Sequence, residues 1–287
     1  VTLLRGFWLA AICALALAGC REAPLSAKPA LWEVTGPRGE HAWLFGTIHA
    51  LPRPAAWRSP AIDGALRGAD RIVVEIAAVG DAAAMNRDFA ALSQTPGQPP
   101  LADKVPSALR GKLAAQLKAS GLSESQFADL ETWAAALTLA RGAAKDMDPA
   151  NGIDRAVLKL TDQRPVVELE GTRGQLAIFD RLPEAQQRDL LAAVVAEPDQ
   201  STDSPAQAWL TGDMAAIERE TRQGLLDDPE LRQALFTARN AAWTARIAAM
   251  LAAGERPFIA VGAAHMAGAE GLPALLAARG YTVRRVQ

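Results

Sequence analysis

"AWLFGTIH" (residues 42–49) and "FIAVGAAH" (residues 258–265) are two apolar runs that both close on Gly-x-x-His. The chain of 287 residues holds three histidines, and two of them end these runs. Each run has the length and apolar continuity of a strand buried on both faces. The glycine three residues before each histidine leaves room for a sharp bend or a close backbone approach. One Gly-x-x-His is a weak pattern; two copies, each after a buried-strand run, are a signal.

Two further runs complete the pattern. "RIVVEIA" (71–77) is a compact β-branched strand carrying Glu75, and "RPVVELEG" (164–171) is a strand ending at Glu170. In an open α/β sheet, ligands bind beyond the carboxyl ends of the strands. Four strands would then bring His49, Glu75, Glu170 and His265 to one edge. Glu75 sits among Val73, Val74 and Ile76, and a buried carboxylate needs a cation, a hydrogen-bond donor or a proton. An ion pair with an arginine is the structural alternative. Glu168 and Glu170 share a parity and should leave the same face of their strand.

Working outward, "LWEVTG" and "HAWLFGTIHA" flank "PRGE", a hairpin signal that would leave His41 exposed at a turn without a role. Helical spacing dominates residues 82–160, which read as a mainly helical insertion. A later helix starts with Asp228 as N-cap and Pro229 in its first turn and closes at Gly254. It carries Arg239 and Asn240, which either reach the site or face solvent. Asp154 near a helix start is a cap or dipole partner. Trp43 and Trp57 suit core packing better than a pocket wall. "GLPALLAARG" is a helix and "YTVRRV" a final strand. Strands alternating with helices predict an α/β fold: a central β-sheet flanked by helices, with the helical insertion in the middle.

Residues 1–19 have one basic residue, an apolar segment and small residues before Cys20, which reads as a secretory signal. The apolar stretch is shorter than the about 20 residues a bilayer span needs. Leu17-Ala18-Gly19-Cys20 resembles a bacterial lipobox, so Cys20 is the expected lipidation site and 20–30 a tether before a domain at 31–287. This places the chain on the bacterial cell envelope, facing the periplasm, with the membrane as partner through the lipid. Cys13 would be removed and Cys20 lipidated, so a metal site must use histidine and carboxylates. Basic and acidic residues nearly balance, 30 against 32, with no basic block, which argues against a nucleic-acid partner.

"LWEVTG…HAWLFGTIHALP", "RIVVEI", "GIDRAVL", "RPVVELEGTRGQL", "RN" and "FIAVGAAHMAGAEGLPALLAARGYTV" together resemble the TraB/PrgY/GumN family, in its order, from Leu31 to the end. The membrane-anchored Tiki metalloproteases belong to the same broader group, with erythromycin esterases and haem-binding ChaN-like proteins more distant. The resemblance implies a ChaN-like α/β fold with His49 and His265 at the site, Glu75 beside them, Glu170 as the acid of a Leu-Glu-Thr stretch, and Arg239-Asn240 as an Arg-Asn pair. This chain departs from the pattern at Gly171, where Thr is usual, and at Glu168, where Gly is common.

The expectation is a divalent-metal-dependent hydrolase, foremost a peptidase, acting on a peptide or small molecule. His49, His265, Glu75 and Glu170 would hold Mn²⁺, Co²⁺ or Zn²⁺. Glu75 would serve as general base and Arg239 would stabilise the oxyanion. Two alternatives stand beside it: a metal-free His/Glu esterase, and a protein that binds a peptide or haem without turnover.

Overall fold

The computed structural model describes residues 22–143, 146–196 and 205–287. The signal segment and Cys20 lie outside the described residues. Among the described residues, no helix is long and apolar enough to cross a membrane.

Among the described residues eight strands form: β1 (Leu25–Ser26), β2 (Leu31–Thr35), β3 (His41–Thr47), β4 (Ala55–Ala56), β5 (Arg71–Val74), β6 (Val166–Glu168), β7 (Pro257–Gly262) and β8 (Thr282–Arg285). Six of them make one sheet in the order β6-β5-β7-β3-β2-β8. The first four run parallel, so their carboxyl ends share an edge. β2 pairs antiparallel with both β3 and β8. The β2–β3 hairpin turns at Gly39, whose φ of +87° a side chain would oppose. β1 and β4 form a small parallel pair, and Lys28 N–H donates to the Leu210 carbonyl. Leu25 to Lys28, read from sequence as tether, are thus pinned to the body.

The central strands are apolar through their middles, on both faces, because both faces are covered. Trp43, Phe45, Ile72, Val74, Phe258 and Ala260 point into one core, which also takes Trp57, Ile62 and Trp209. Their neighbours Ala42, Leu44, Val73, Ile259 and Val261 point into the opposite core with Trp243, Ile247 and Leu251. The period of two is the strand period itself. A third core belongs to the helices, around Leu113, Trp133, Leu139, Leu190 and Leu235.

The helical readings hold in outline. Ser59 caps the Pro60–Gly68 helix through Ile62 N–H. The insertion contains the helices Ala82–Ser93, Arg110–Ser120, Thr132–Ala143 and Ile153–Leu158. Asp228 accepts from the N–H groups of Glu230 and Leu231 ahead of a long helical stretch. That stretch is Pro229–Arg232, then a π-helical turn Gln233–Thr237, then Ala238–Ala252.

Three local expectations change. His41 is not in the turn: it begins β3, packs tilted against Trp43 with ring centroids 4.3 Å apart, and bonds Glu33 at 2.9 Å. β5 ends at Val74, so Glu75 lies just past the strand. β6 ends at Glu168, so the strand parity does not carry to Glu170, and the two glutamates find different partners.

Candidate active site

Each residue that follows a parallel strand arrives at the same edge: His49 after β3, Glu75 after β5, Glu170 after β6 and His265 after β7. The structure brings all four together, along with Arg239 and Asn240 from the Ala238–Ala252 helix.

Glu75 is buried and fully engaged. Its Oε1 accepts from Gly262 N–H at 2.7 Å, and its Oε2 accepts from Gln175 at 3.1 Å and Arg239 at 2.9 Å. Burial pushes this carboxyl up, but the His265 ring (charged only in acid), His49, Arg239 and the Gly262 N–H outweigh it, so it is held below the usual range. It is ionised at neutral pH. Glu168 supports the next turn of chain instead, accepting from Ala77 N–H at 2.6 Å.

His265 is buried, stacked on Phe236 at 5.4 Å and tilted against Trp243 at 4.5 Å. Its tautomer follows from Asn240. The Asn240 amide nitrogen donates to the Glu270 carbonyl, so its oxygen faces His265 and takes a proton from Nδ1 at 2.6 Å. Nε2 then keeps its lone pair. Burial lowers the His265 pKa to about 4, and the ring is neutral.

His49 is the opposite case. Nδ1 donates to Asp154 Oδ2 at 2.7 Å, and Thr47 donates its hydroxyl to the other Asp154 oxygen. The hydrogen bond to Asp154 raises the His49 pKa to about 9. The side chain is 75 % exposed, with Nε2 left open. Asp154 sits in the first turn of the Ile153–Leu158 helix, which packs close because Gly152 has no side chain; a Cβ there would lie 2.2 Å from the His49 carbonyl oxygen.

Arg239 lies between the two carboxylates. Nε and Nη2 grip Glu170 at 2.8 Å each, Nη2 also reaches Glu75, and Nη1 donates to the Leu235 carbonyl at 3.0 Å and His265 Nε2 at 3.3 Å. A guanidinium has five N–H donors, and these five acceptors use them all. As placed, Arg239 has none to spare for an oxyanion. Glu170 also accepts from Trp243 Nε1 at 3.1 Å, over whose ring the guanidinium lies at 4.7 Å. The π-helical turn two residues before Arg239 is a distortion often found at functional sites.

The four residues expected to share a metal ion do not fit one in this arrangement. Both Glu170 oxygens, Glu75 Oε2 and His265 Nε2 are bonded to Arg239. Among the described residues, no three of His, Cys, Asp and Glu are grouped to hold an ion.

Sequence reasoning found the four strand-end residues. It missed what Gln175 and Thr47 do and read Asp154 as a cap; the tight Gly152-Ile153-Asp154 turn was the available hint. It left Asn240 open. Trp43 and Trp57 are core residues, as expected.

A model of the TraB/PrgY/gumN family matches residues 30–285. The chain is 27 % identical over 262 residues to "Uncharacterized protein YbaP" of Shigella flexneri, spanning 85 % of this chain and 90 % of that protein. The same figures hold for "Uncharacterized protein YbaP" of Escherichia coli strain K12. No solved structure matches the chain significantly. The chain belongs to the TraB/PrgY/gumN family.

Proposed function

We propose that this member of the TraB/PrgY/gumN family is a hydrolase of acyl bonds that works through Glu75 and the Asp154–His49 pair. The observation that carries this reading is the meeting of two differently charged groups at one open point. A Cβ built on Gly262 would lie 3.3 Å from Glu75 Oε1 and 4.0 Å from His49 Nε2. One group is an ionised carboxylate and the other an imidazole held protonated at neutral pH. Environments that push two titratable groups apart are how one site assigns a base and an acid.

In this reading a water molecule adds to the substrate carbonyl and gives its proton to Glu75. The His49 imidazolium stabilises the developing negative charge and then donates its Nε2 proton to the leaving group. Glu75 returns its proton to His49, which resets both groups. Asp154 keeps His49 in the Nδ1–H tautomer throughout, as the aspartate of a Ser-His-Asp triad does. Arg239 and Gln175 hold the carboxylate of Glu75 in place.

A second reading is a divalent-metal-dependent peptidase using His49, His265, Glu75 and Glu170. Only the donor types speak for it, since carboxylate oxygens and imidazole nitrogens suit Mn²⁺, Co²⁺ or Zn²⁺. It requires Arg239 to release both carboxylates.

The test is hydrolysis of a panel of peptide and ester substrates by the purified chain, with Glu75→Gln and His49→Asn beside it. The expected result is turnover that survives a chelator and is lost in both variants. Chelator-sensitive turnover would favour the second reading. A ligand bound equally by all three proteins without turnover would point to a binding protein. The lipobox-like Leu17–Cys20 supports placing the enzyme on a bacterial envelope, tethered at Cys20. Unchanged membrane partition of a Cys20→Ala variant would count against that placement.

A further inference from the structure

We propose that Arg239 is the resident cation of this cleft, standing where a divalent metal ion would otherwise bind. The inference deepens the metal-independent reading above, but its test does not use turnover.

Three observations carry it. The first is the set of lone pairs the guanidinium has claimed: two from Glu170, one from Glu75 and one from His265 Nε2. These are carboxylate and imidazole donors, the same ones a borderline divalent ion takes. Two cations would compete for them, and one is covalently part of the chain.

The second is burial and charge. The side chains of Arg239, Glu75 and Glu170 are 12 %, 9 % and 11 % exposed. Two carboxylates held this far from water need a positive charge beside them. The guanidinium supplies it, and its own pKa is raised: burial lowers it, but the hydrogen bond to Glu170 and the charges of Glu75 and Glu170 more than compensate. The third is that Arg239 is braced from behind. Nη1 is fixed on the Leu235 carbonyl of the π-helical turn, and the guanidinium lies over Trp243. It is built in as a fixed part rather than a surface arm that has fallen into the cleft.

Nη2 marks the position most like an ion. It lies 2.9 Å from Glu75 Oε2 and 2.8 Å from Glu170 Oε2. Metal–carboxylate distances are about 2.0–2.2 Å, so an ion seated there would draw each oxygen in by less than about 1 Å. Removing the guanidinium without replacing its charge therefore turns the cleft into a divalent-cation site. Replacing it with another cation does not.

The experiment measures metal content after equilibration with Zn²⁺ or Mn²⁺ and dialysis, and the visible absorption of added Co²⁺. The full chain is compared with Arg239→Met and Arg239→Lys. The native chain and Arg239→Lys should retain substoichiometric metal and show no bound-cobalt spectrum. Arg239→Met should retain one equivalent and show a cobalt spectrum. Where Arg239→Met does not fold by circular dichroism, Arg239→Gln, which carries no charge but keeps an amide donor and leaves Glu170 and Glu75 intact, takes its place. One equivalent of metal in the native chain overturns the proposal. So does a folded variant lacking the guanidinium that binds no ion. A metal result as expected, with no turnover on any substrate, would sink the hydrolase reading and leave this one standing.

Discussion

His49 Nδ1 donates to Asp154 Oδ2 over 2.7 Å, although the two residues are 105 positions apart in the chain. One follows a strand of the sheet and the other opens a helix at the end of the insertion. The insertion is thus part of the site, since it supplies the carboxylate that sets the charge and direction of the exposed imidazole.

Asp154→Asn should uncouple that imidazole. His49 should titrate near its ordinary 6.5 instead of about 9, which imidazole proton shifts in an NMR titration would read directly. If the proposed hydrolysis holds, turnover should drop on the order of 10⁴-fold, the scale on which an Asp→Asn change acts in a Ser-His-Asp triad. An unchanged His49 titration would show that Asp154 does not set the proton's place.

Glu170→Ala should be costly for stability, because it leaves Arg239 buried with three of its five acceptors. Breaking a buried pair from one side costs about 3–5 kcal/mol. Denaturant unfolding should show a loss of that order. A loss within the scatter of surface substitutions would mean that Arg239 relaxes into solvent.

Stability should depend on pH through the buried ring. His265 titrates at about 4 when folded against 6.5 otherwise, chiefly because burial disfavours its charged form. Between those values the unfolded chain binds more protons. The stability tied to neutral His265 is therefore complete above pH 6.5, falls as the pH drops, and is gone below about 4. The full swing is about 3 kcal/mol. His49 has the opposite sign: its folded pKa is raised, so its contribution is complete below 6.5 and lost as pH rises through about 9. Its exposure to water makes it the smaller of the two. Unfolding measured from pH 4 to 7 on the native chain and His265→Gln should differ by the His265 component; parallel curves would contradict it.

Gly262→Ala should separate function from fold. Gly262 has φ −48° and ψ 134°, which any residue adopts, so the backbone permits the change. The new methyl would stand 3.3 Å from Glu75 Oε1 and 4.0 Å from His49 Nε2, in the space between the proposed base and acid. Thermal stability should change little while turnover falls at least about 10-fold, the cost of a small misplacement at a reacting centre. Gly152→Ala should do the reverse and destabilise the chain, because its Cβ would meet the His49 backbone carbonyl at 2.2 Å.

The sequence determined the sheet and the edge at which chemistry gathers. Short, β-branched apolar runs bounded by turn residues and with no polar face read as strands covered on both sides, and parallel strands deliver their end residues to a common edge. His49, Glu75, Glu170 and His265 were legible for that reason. Where a run was short, the same logic overreached: β5 and β6 stop before Glu75 and Glu170, so strand parity says nothing about where those carboxylates point.

Only the tertiary structure decided how these groups share protons and charge. Arg239 could be read from the sequence as solvent-facing or site-facing, and nothing in its own helix says that it will answer both Glu75 and Glu170. Asp154 looked like a helix cap until the insertion folded back onto β3. Periodicity records which face of an element is buried, because that is a local repeat. A hydrogen bond between residues brought from distant parts of the chain leaves no repeat behind, since it depends on separations in space that the order of residues does not encode.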